Sequence, residues 1–348
     1  MSWDVVTGHT LEVLAGLDAK SVQTVVTSPP YYGLRDYGDD GQDWPEVTFS
    51  PMPGLPSMTI DAQRAALGLE SDPWAYVGHM VAVFREVRRV LRDDGTLWLN
   101  LGDSYASAPC GSFNGGGFKD GSAQTGGRDM SGIETSGRID KVKASGLKPK
   151  DLMGIPWRVA YALQADGWYL RSDIIWSKPN PMPSSVSDRC TTSHEYIYLL
   201  TKKPKYYYNA DAIAEDSIHA GKVVTLGPKS LSKAQATGIG TKPGGNALVD
   251  SVTVTDKRNA RSVWTITTRP YPEAHFAVFP TDIPERCIKA SSRPGDVVLD
   301  PFSGAGTTGM VARRLQRSYI GAEQSETYAE MSRRRIESDA PLFNRGLA

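Results

Sequence analysis

The segment VVTSPPYYGLRDYG (Val25–Gly38) contains a short group of residues suited to binding a planar, polar ligand. The β-branched residues before Ser28 are typical of a buried strand, and the two prolines after it cannot continue that strand, because each lacks the N–H that a ladder needs. The strand must end in a stiff turn, which we call the elbow (Ser28–Tyr31). The elbow presents a hydroxyl group, carbonyl groups and an aromatic ring beyond a strand's carboxyl end, where open α/β sheets bind their ligands.

A second group of candidate residues lies near the carboxyl end of the chain, in DPFSGAGTTG (Asp300–Gly309). Its glycines have G-x-G-x-x-G spacing between a predicted strand and a predicted helix, and Glu323 lies 19 positions beyond Gly304. We call Pro301–Gly306 the glycine loop. Glycines let a ligand approach the backbone, a helix amino end offers free N–H groups, and an acid on the next strand accepts hydrogen bonds from ribose hydroxyls. The pattern predicts a site for an adenosine-bearing cofactor, with a tight packing turn as the structural alternative.

Asp300 and Phe302 help to decide which cofactor this is. A carboxylate directly before the loop repels a pyrophosphate, whereas it attracts an ammonium or a sulfonium group. S-Adenosylmethionine carries both of these cations, and Phe302 supplies an aromatic wall for its pocket. These residues favour S-adenosylmethionine over a dinucleotide. The structural alternative is that Asp300 caps the following helix and that Phe302 belongs to the core.

The elements around these motifs alternate in the manner of an α/β protein. Asp72 followed by Pro73 predicts a helix start, apolar residues recur along that helix, and Gly95 is expected to end it. Further helices are predicted from Pro156, after the glycine loop and from Ser325. Strands are predicted in VVT (25–27), TLWLNLG (96–102), WYLRSDIIWSKP (168–179), HEYIYLLTKK (194–203), DVVLD (296–300) and SYIGAE (318–323).

The composition argues against several classes of protein. Lys+Arg and Asp+Glu both number 39, so no global charge indicates a polyanionic partner and any nucleic-acid surface must be local. The three cysteines (Cys110, Cys190 and Cys287) predict neither a disulfide framework nor a metal site. The chain shows no signal pattern and no apolar run of membrane-spanning length, so we expect a cytoplasmic protein without a membrane partner.

Two segments interrupt the α/β pattern. Ten glycines fall between residues 111 and 146, which predicts a mobile loop within 103–150. Between residues 221 and 270 there are eight basic residues and two acidic ones, although the whole protein is neutral. The second segment is therefore the candidate surface for nucleic acid.

The elbow and the glycine loop together, as TSPPY and DPFSGAGTT, resemble the β class of DNA amino-methyltransferases, which act on N4 of cytosine or N6 of adenine. WSKPN (176–180), HEYIYLLTKK, HFAVFPTDIPERCI (275–288) and YIGAE (319–323) extend the resemblance over most of the chain. In this class the catalytic motif precedes the cofactor motif. The resemblance implies a Rossmann-like S-adenosylmethionine-dependent methyltransferase fold with a circularly permuted motif order and an inserted target-recognition region.

The resemblance also implies a division of the chain and a set of site residues. Residues 1–210 form the catalytic part of the core, 211–270 the target-recognition region and 271–348 the cofactor-binding part of the same core. The elbow and the glycine loop are expected to meet at neighbouring strand ends. Catalytic roles fall on Ser28, Pro29, Pro30 and Tyr31, and cofactor binding on Asp300, Phe302, Gly304, Gly306, Thr307 and Glu323. The predicted DNA contacts are Lys178, which is as well explained as a solvated strand-end lysine, and Arg258, Arg261 and Arg269.

The chemistry expected at the elbow is methylation of a base amine. The Ser28 hydroxyl and the Pro29 carbonyl accept the two amine protons and direct the nitrogen lone pair toward the methyl donor, while Tyr31 stacks on the extruded base. A serine before the prolines resembles the N4-cytosine branch more than the N6-adenine branch, which stays the alternative. An RNA or protein methyltransferase and, more remotely, an NAD-binding oxidoreductase also stay open.

Double-stranded DNA is the partner that this reaction requires. The sequence leaves open whether a cognate restriction nuclease is a second partner, and whether the protein is a monomer or a homodimer.

Overall fold

The computed structural model describes residues 2–34, 41–106, 143, 145–184, 186–218, 220–225, 251–253, 256–268 and 278–339. Its strands are β1 (Trp3–Thr7), β2 (Val22–Thr27), β3 (Gln42–Trp44), β4 (Val47–Phe49), β5 (Met58–Ile60), β6 (Gln63–Ala65), β7 (Leu91–Leu101), β8 (Tyr169–Ser177), β9 (His194–Thr201), β10 (Glu215–Asp216), β11 (Val223–Thr225), β12 (Ser251–Thr253), β13 (Lys257–Arg258), β14 (Val263–Thr265), β15 (Val297–Asp300) and β16 (Ser318–Glu323). Its helices are α1 (Thr10–Ala15), α2 (Pro73–Val90), α3 (Ile155–Ala165), α4 (Asp282–Ser291), α5 (Thr307–Arg314) and α6 (Glu326–Ser338), with a 3-10 turn at Asp211–Ile213.

The centre of the molecule is an eight-stranded mixed sheet in the order β1–β16–β15–β2–β7–β9–β8–β14. The strands from β1 to β7 in this order are parallel, β9 is antiparallel to both of its neighbours, and β14 is parallel to β8. The adjacent strands β15 and β2 come from opposite ends of the chain. The α/β pattern predicted from the sequence is therefore confirmed.

Helices cover both faces of this sheet. One buried cluster joins Leu14 of α1, Phe84 of α2 and Leu163 of α3. A second cluster joins Ile288 of α4 and Met310 of α5 with residues of α6. Since both faces are covered, every residue of β2 is buried, as is usual for the parallel strands of such a sheet. Because helices cover both faces, a ligand can reach the sheet at the ends of its strands.

Helix α2 begins where the sequence predicts and ends earlier. Asp72 accepts a hydrogen bond of 2.8 Å from the Trp74 backbone N–H, and Pro73 occupies the first turn. The helix ends at Val90 and the chain passes directly into β7, so the prediction that Gly95 ends it was wrong. Gly95 lies inside β7, where a Cβ atom would lie 2.8 Å from the Gln23 carbonyl oxygen. The glycine is needed because the first part of β7 passes close to β2.

Helix α3 depends on a residue far from it in sequence. Asp103, just after β7, accepts hydrogen bonds from the backbone N–H groups of Gly154 (3.0 Å) and Ile155 (3.1 Å). These are donors that a helix amino end leaves without an intrahelical partner. Asp103 therefore fixes the start of α3 against the carboxyl end of β7. No helix in the described ranges is long and apolar enough to span a membrane.

The described part of the predicted target-recognition region combines small ribbons with one strand of the main sheet. The pairs β10–β13 and β11–β12 are antiparallel ribbons, whereas β14 extends the edge of the main sheet beside β8. Trp264 of β14 donates a hydrogen bond of 2.9 Å to the Arg261 carbonyl oxygen. The segment before β14 is thereby connected to the central sheet. The domain division at 211–270 stays a prediction.

Candidate active site

The elbow and the glycine loop meet at the centre of the sheet. They follow β2 and β15, which are adjacent and parallel with Leu299 opposite Val25, so both leave the same edge. The Thr27 hydroxyl donates a hydrogen bond of 2.6 Å to Asp300 Oδ1, across 273 positions of sequence. The predicted convergence of the two motifs is confirmed.

The elbow is fixed to helix α2 by its second proline. The Pro30 carbonyl oxygen accepts a hydrogen bond of 2.9 Å from the Tyr76 hydroxyl. The next residue after the elbow, Tyr32, is buried and packs its ring 5.7 Å from that of Tyr76. The turn that follows Ser28 is thus held by α2 and does not depend on the prolines alone.

The hydroxyl of Tyr31 lies at the centre of a hydrogen-bonded network. It donates to Glu195 Oε2 over 2.7 Å, lies 3.2 Å from Asn100 Oδ1, and accepts from the Ser28 hydroxyl over 3.2 Å. Burial, followed by the charge of Glu195, raises the pKa of Tyr31 well above its usual value. Tyr31 therefore stays protonated and acts as a hydrogen-bond donor to Glu195.

Glycine at position 102 makes room for the Tyr31 ring. A Cβ atom on Gly102 would lie 2.7 Å from Tyr31 Cε2, well inside normal contact. Any other residue at the end of β7 would displace the ring and with it the hydrogen bond from Tyr31 to Glu195. The position of Tyr31 is thus determined by both its hydroxyl and its ring.

Glu195, near the start of β9, and Lys178, directly after β8, form the part of the network that lies farthest from the elbow in sequence. They form an ion pair, with side chains 16% and 19% exposed, and Lys178 Nζ lies 4.3 Å from the centre of the Trp176 ring. The sequence predicted Lys178 as a DNA contact, and the structure brings it to the same cluster as the elbow. Its contact with a phosphate stays a prediction.

Sequence reasoning missed Asn100 and Glu195, although each carries a signal. Asn100 is a polar residue within the apolar strand TLWLNLG, and the structure buries it. Glu195 is the second residue of HEYIYLL, a strand that is otherwise mostly apolar. Asn100 Nδ2 donates to Glu195 Oε2 over 3.2 Å and to the Tyr196 carbonyl oxygen over 3.0 Å. A buried polar residue requires a partner, so an isolated one in an apolar strand indicates a network.

The glycines of the second motif have different roles. Gly304 and Gly306 both have left-handed φ angles, 50° and 74°. A Cβ atom on Gly304 would meet nothing within 4 Å, whereas one on Gly306 would lie 2.3 Å from Ser332 Oγ. At Gly309 it would lie 2.5 Å from Tyr319 Cε1. Close packing on α6 and β16 thus explains two of the three glycines, and Gly304 is the one beside open space.

Asp300 lies beneath the glycine loop. Its side chain is buried and accepts hydrogen bonds from Thr27, from Thr308 (2.8 Å) and from the Phe302 backbone N–H (3.1 Å). Burial raises the pKa of Asp300 to about 7, although these hydrogen bonds oppose the shift. Phe302 is partly buried against the core. These contacts fit the structural alternative, in which Asp300 caps the following turn and Phe302 belongs to the core. A direct contact of Asp300 with a cofactor stays a prediction.

Glu323 and Thr307 both support the shape of the loop. Glu323 Oε2 accepts a hydrogen bond of 2.8 Å from the Gly304 N–H, and Oε1 accepts one of 3.0 Å from Ser325. Thr307 is buried, and its hydroxyl accepts a hydrogen bond of 2.9 Å from Arg335. Both residues were predicted to bind the cofactor. The contacts above are within the protein, and cofactor binding by Glu323 and Thr307 stays a prediction.

Two of the predicted DNA-contacting arginines, Arg258 and Arg261, lie in or near the β10–β13 ribbon and pair with Glu215. Arg261 is exposed and its Nε donates to Glu215 Oε2 over 2.8 Å, while Arg258 Nη2 lies 3.4 Å from the same oxygen. Arg269 lies outside the described residues, as does most of the predicted loop 103–150. In the part of the chain that the structure describes, no cluster of three or more His, Cys, Asp or Glu residues could hold a metal ion.

Comparison with solved structures supports the fold. TTHA0409 from Thermus thermophilus, complexed with S-adenosyl-L-methionine, has a TM-score of 0.56 at 22% identity, covering 98% of this chain and 96% of that one. The PvuII DNA methyltransferase (cytosine-N4-specific) has a TM-score of 0.55 at 18% identity, covering 99% and 92%. The predicted Rossmann-like methyltransferase fold is confirmed.

Comparison with protein families and sequences establishes the family. The family model N6_N4_Mtase, described as DNA methylase, matches residues 22–334. The Type II methyltransferase M.SmaI from Serratia marcescens is 43% identical over 335 residues, covering 96% of this chain and 91% of the relative. M.Cfr9I from Citrobacter freundii is 40% identical over 332 residues, covering 95% and 87%. The chain therefore belongs to the N6_N4_Mtase family of DNA methylases.

Proposed function

We propose that this DNA methylase transfers a methyl group from S-adenosylmethionine to N4 of a cytosine extruded from double-stranded DNA. The observation that carries the proposal is the hydrogen bond between Thr27 and Asp300. It joins the strand end that leads to Ser28 with the strand end that leads to the glycine loop. A base at the elbow and a cofactor at the glycine loop would consequently be neighbours.

The residues around the glycine loop fit S-adenosylmethionine. The space beside Gly304 is open, and the acids near the loop are Asp300 below it and Glu323 beside it. Carboxylates suit a ligand with ribose hydroxyls and positive charge, and they disfavour a pyrophosphate. When bound, S-adenosylmethionine supplies an electrophilic methyl group on its sulfonium. The solved structure of TTHA0409, which has a similar fold, is complexed with S-adenosyl-L-methionine, and this supports the same cofactor here over NAD.

The elbow supplies the groups that act on the base. The Ser28 hydroxyl and the Pro29 carbonyl would accept hydrogen bonds from the exocyclic amine, which directs the nitrogen lone pair away from the ring. Tyr31 is held by its hydroxyl and by Gly102, so its ring offers a preformed stacking surface. Stacking offsets part of the cost of extrusion, on the order of a few kcal/mol.

Binding to DNA is proposed for the segment 211–270 and for Lys178. The guanidinium group of Arg261 is exposed, and its planar set of donors suits a phosphate or the edge of a guanine. Arg258 and Arg261 share Glu215, so DNA would compete with that carboxylate. The relatives are named Type II methyltransferases, and a cognate restriction nuclease is accordingly part of the proposal.

Serine before the two prolines supports N4 of cytosine over N6 of adenine. Nucleoside mass spectrometry of plasmid DNA treated with the purified protein and S-adenosylmethionine tests the choice. We expect N4-methylcytosine, and Ser28→Ala protein serves as the negative control. N6-methyladenine would move the target to the adenine branch, and the absence of both modified nucleosides would contradict the proposed function.

A further inference from the structure

Methylation of an amine releases a proton, and the elbow by itself provides no place for it. The amine nitrogen bonds the methyl carbon as the carbon–sulfur bond breaks, and the methylated nitrogen then carries a positive charge until one N–H proton leaves. The Ser28 hydroxyl and the Pro29 carbonyl accept hydrogen bonds but are too weakly basic to keep that proton. A carboxylate connected to the elbow would complete the reaction.

We infer that Glu195 receives this proton through Tyr31, and this inference rests on the proposed function. The hydrogen bonds run in one direction: the Ser28 hydroxyl donates to Tyr31 over 3.2 Å, and the Tyr31 hydroxyl donates to Glu195 Oε2 over 2.7 Å. As the amine proton moves to the Ser28 oxygen, the Ser28 proton moves to Tyr31 and the Tyr31 proton moves to Glu195. Each hydroxyl gains one proton and loses one, and the net change is a protonated carboxyl group.

Three other carboxylates near the strand ends make contacts that stabilise other parts of the structure. Asp300 lies beneath the glycine loop with Thr27 and Thr308, and Asp103 caps α3. Glu323 accepts from backbone N–H groups at Gly304 and Ser325. Glu195, in contrast, is joined to Ser28 by a chain of hydrogen bonds through Tyr31.

The surroundings of Glu195 suit a temporary proton acceptor. Lys178 pairs with Oε1, so Oε2 is directed to Tyr31, and the Asn100 amide fixes that oxygen from a second side. Because a methylated amine cation is strongly acidic, even a carboxylate paired with an ammonium group can accept its proton. Both members of the ion pair are partly exposed, so the proton can pass on to solvent. Glu195 does not contact the base in this proposal. It is a positioning residue that acts on the base through Tyr31.

Two isosteric substitutions test the relay. Glu195→Gln keeps the shape of the side chain and removes its charge, while Tyr31→Phe keeps the stacking ring and cuts the chain. We expect each to lower the single-turnover rate of methyl transfer about 100-fold, a typical contribution of acid–base catalysis. The double variant should lose no more than either single one, because both changes break one unit. Glu285→Gln, a surface carboxylate paired with Lys289, is the matched control and should keep the wild-type rate.

Binding measurements separate the relay from a structural role. The dissociation constant for S-adenosylhomocysteine, measured by calorimetry, should stay within about twofold of wild type, since the proposed cofactor site is at the glycine loop and neither residue belongs to that loop. A single variant with the wild-type rate, losses that multiply in the double variant, or losses that appear in this dissociation constant would each overturn the relay. If the wild-type protein transfers no methyl group to DNA, the proposed function fails instead.

Discussion

The elbow and the glycine loop leave adjacent strands, yet they are stabilised in opposite ways. The glycine loop is fixed by nearby sequence: Gly306 packs on Ser332, and Gly304 donates to Glu323. The elbow is fixed by side chains from α2, β7 and the ends of β8 and β9, which lie up to 164 positions away from it. A change in the glycine loop should therefore first affect folding, whereas a change at the elbow should first affect the reaction.

The largest expected effect is that of Gly306→Ala on stability. The new Cβ atom would lie 2.3 Å from Ser332 Oγ and 3.1 Å from Ser332 Cα, at a φ angle of 74°. Overpacking and left-handed strain together should lower the free energy of unfolding by about 3 kcal/mol. Urea denaturation measures this loss.

Gly304→Ala is the matched control for that experiment. Its φ angle is also left-handed, at 50°, but its Cβ atom would meet nothing within 4 Å. We expect backbone strain alone to lower the free energy of unfolding, by about 1 kcal/mol. Equal losses at the two positions would show that packing on α6 does not explain Gly306.

The next largest effect is that of Ser28→Ala on the rate. Removing the hydroxyl should lower methyl transfer roughly 100-fold, as for a polar group that acts in the transition state. The affinity for S-adenosylhomocysteine should be unchanged, because Ser28 belongs to the elbow and not to the glycine loop. Single-turnover kinetics and calorimetry provide the two measurements. Ser50→Ala, in the turn between β4 and β5, controls for loss of a surface hydroxyl, and a fall in cofactor affinity at position 28 would erase the distinction between the regions.

The same contrast explains how far the sequence could predict the site. Local patterns such as Asp72–Pro73, the β-branched strands and the glycine spacing determine elements within a few residues, and these predictions were confirmed apart from the helix end at Gly95. The partners of Tyr31 come from β7 and β9, and only the completed sheet brings them together. Sequence spacing carries little information about such contacts, since β9 inserts antiparallel between β7 and β8.

Asp300 shows a second limit of sequence reasoning. Its position before the glycine loop suggested a charge aimed at a cofactor. In the structure the same carboxylate faces Thr27 and Thr308 between strand and helix. A sequence gives the type of a residue and its element, whereas the side of the loop on which its oxygens lie depends on the tertiary packing.

The junction between the two regions gives stability a pH dependence that tests how the elbow and the glycine loop are connected. The pKa of Asp300 is raised from 3.8 to about 7, so the folded protein binds this proton more tightly than the unfolded chain does. Between these two values stability should fall as pH rises, by at most about 1.4 kcal/mol per pH unit from this group. The contribution is complete below pH 4 and is lost as pH passes through about 7.

Asp300→Asn should remove this dependence, and urea denaturation at intervals from pH 5 to pH 8 would measure the difference in slope from wild type. Thr27→Val provides the sharper variant, because it deletes the 2.6 Å hydrogen bond that lowers the pKa of Asp300 while it keeps the shape of the side chain. The loss of stability should then occur at higher pH than in the wild-type protein. If Thr27→Val leaves the pH dependence unchanged, the hydrogen bond from Thr27 does not couple the elbow to the glycine loop through Asp300.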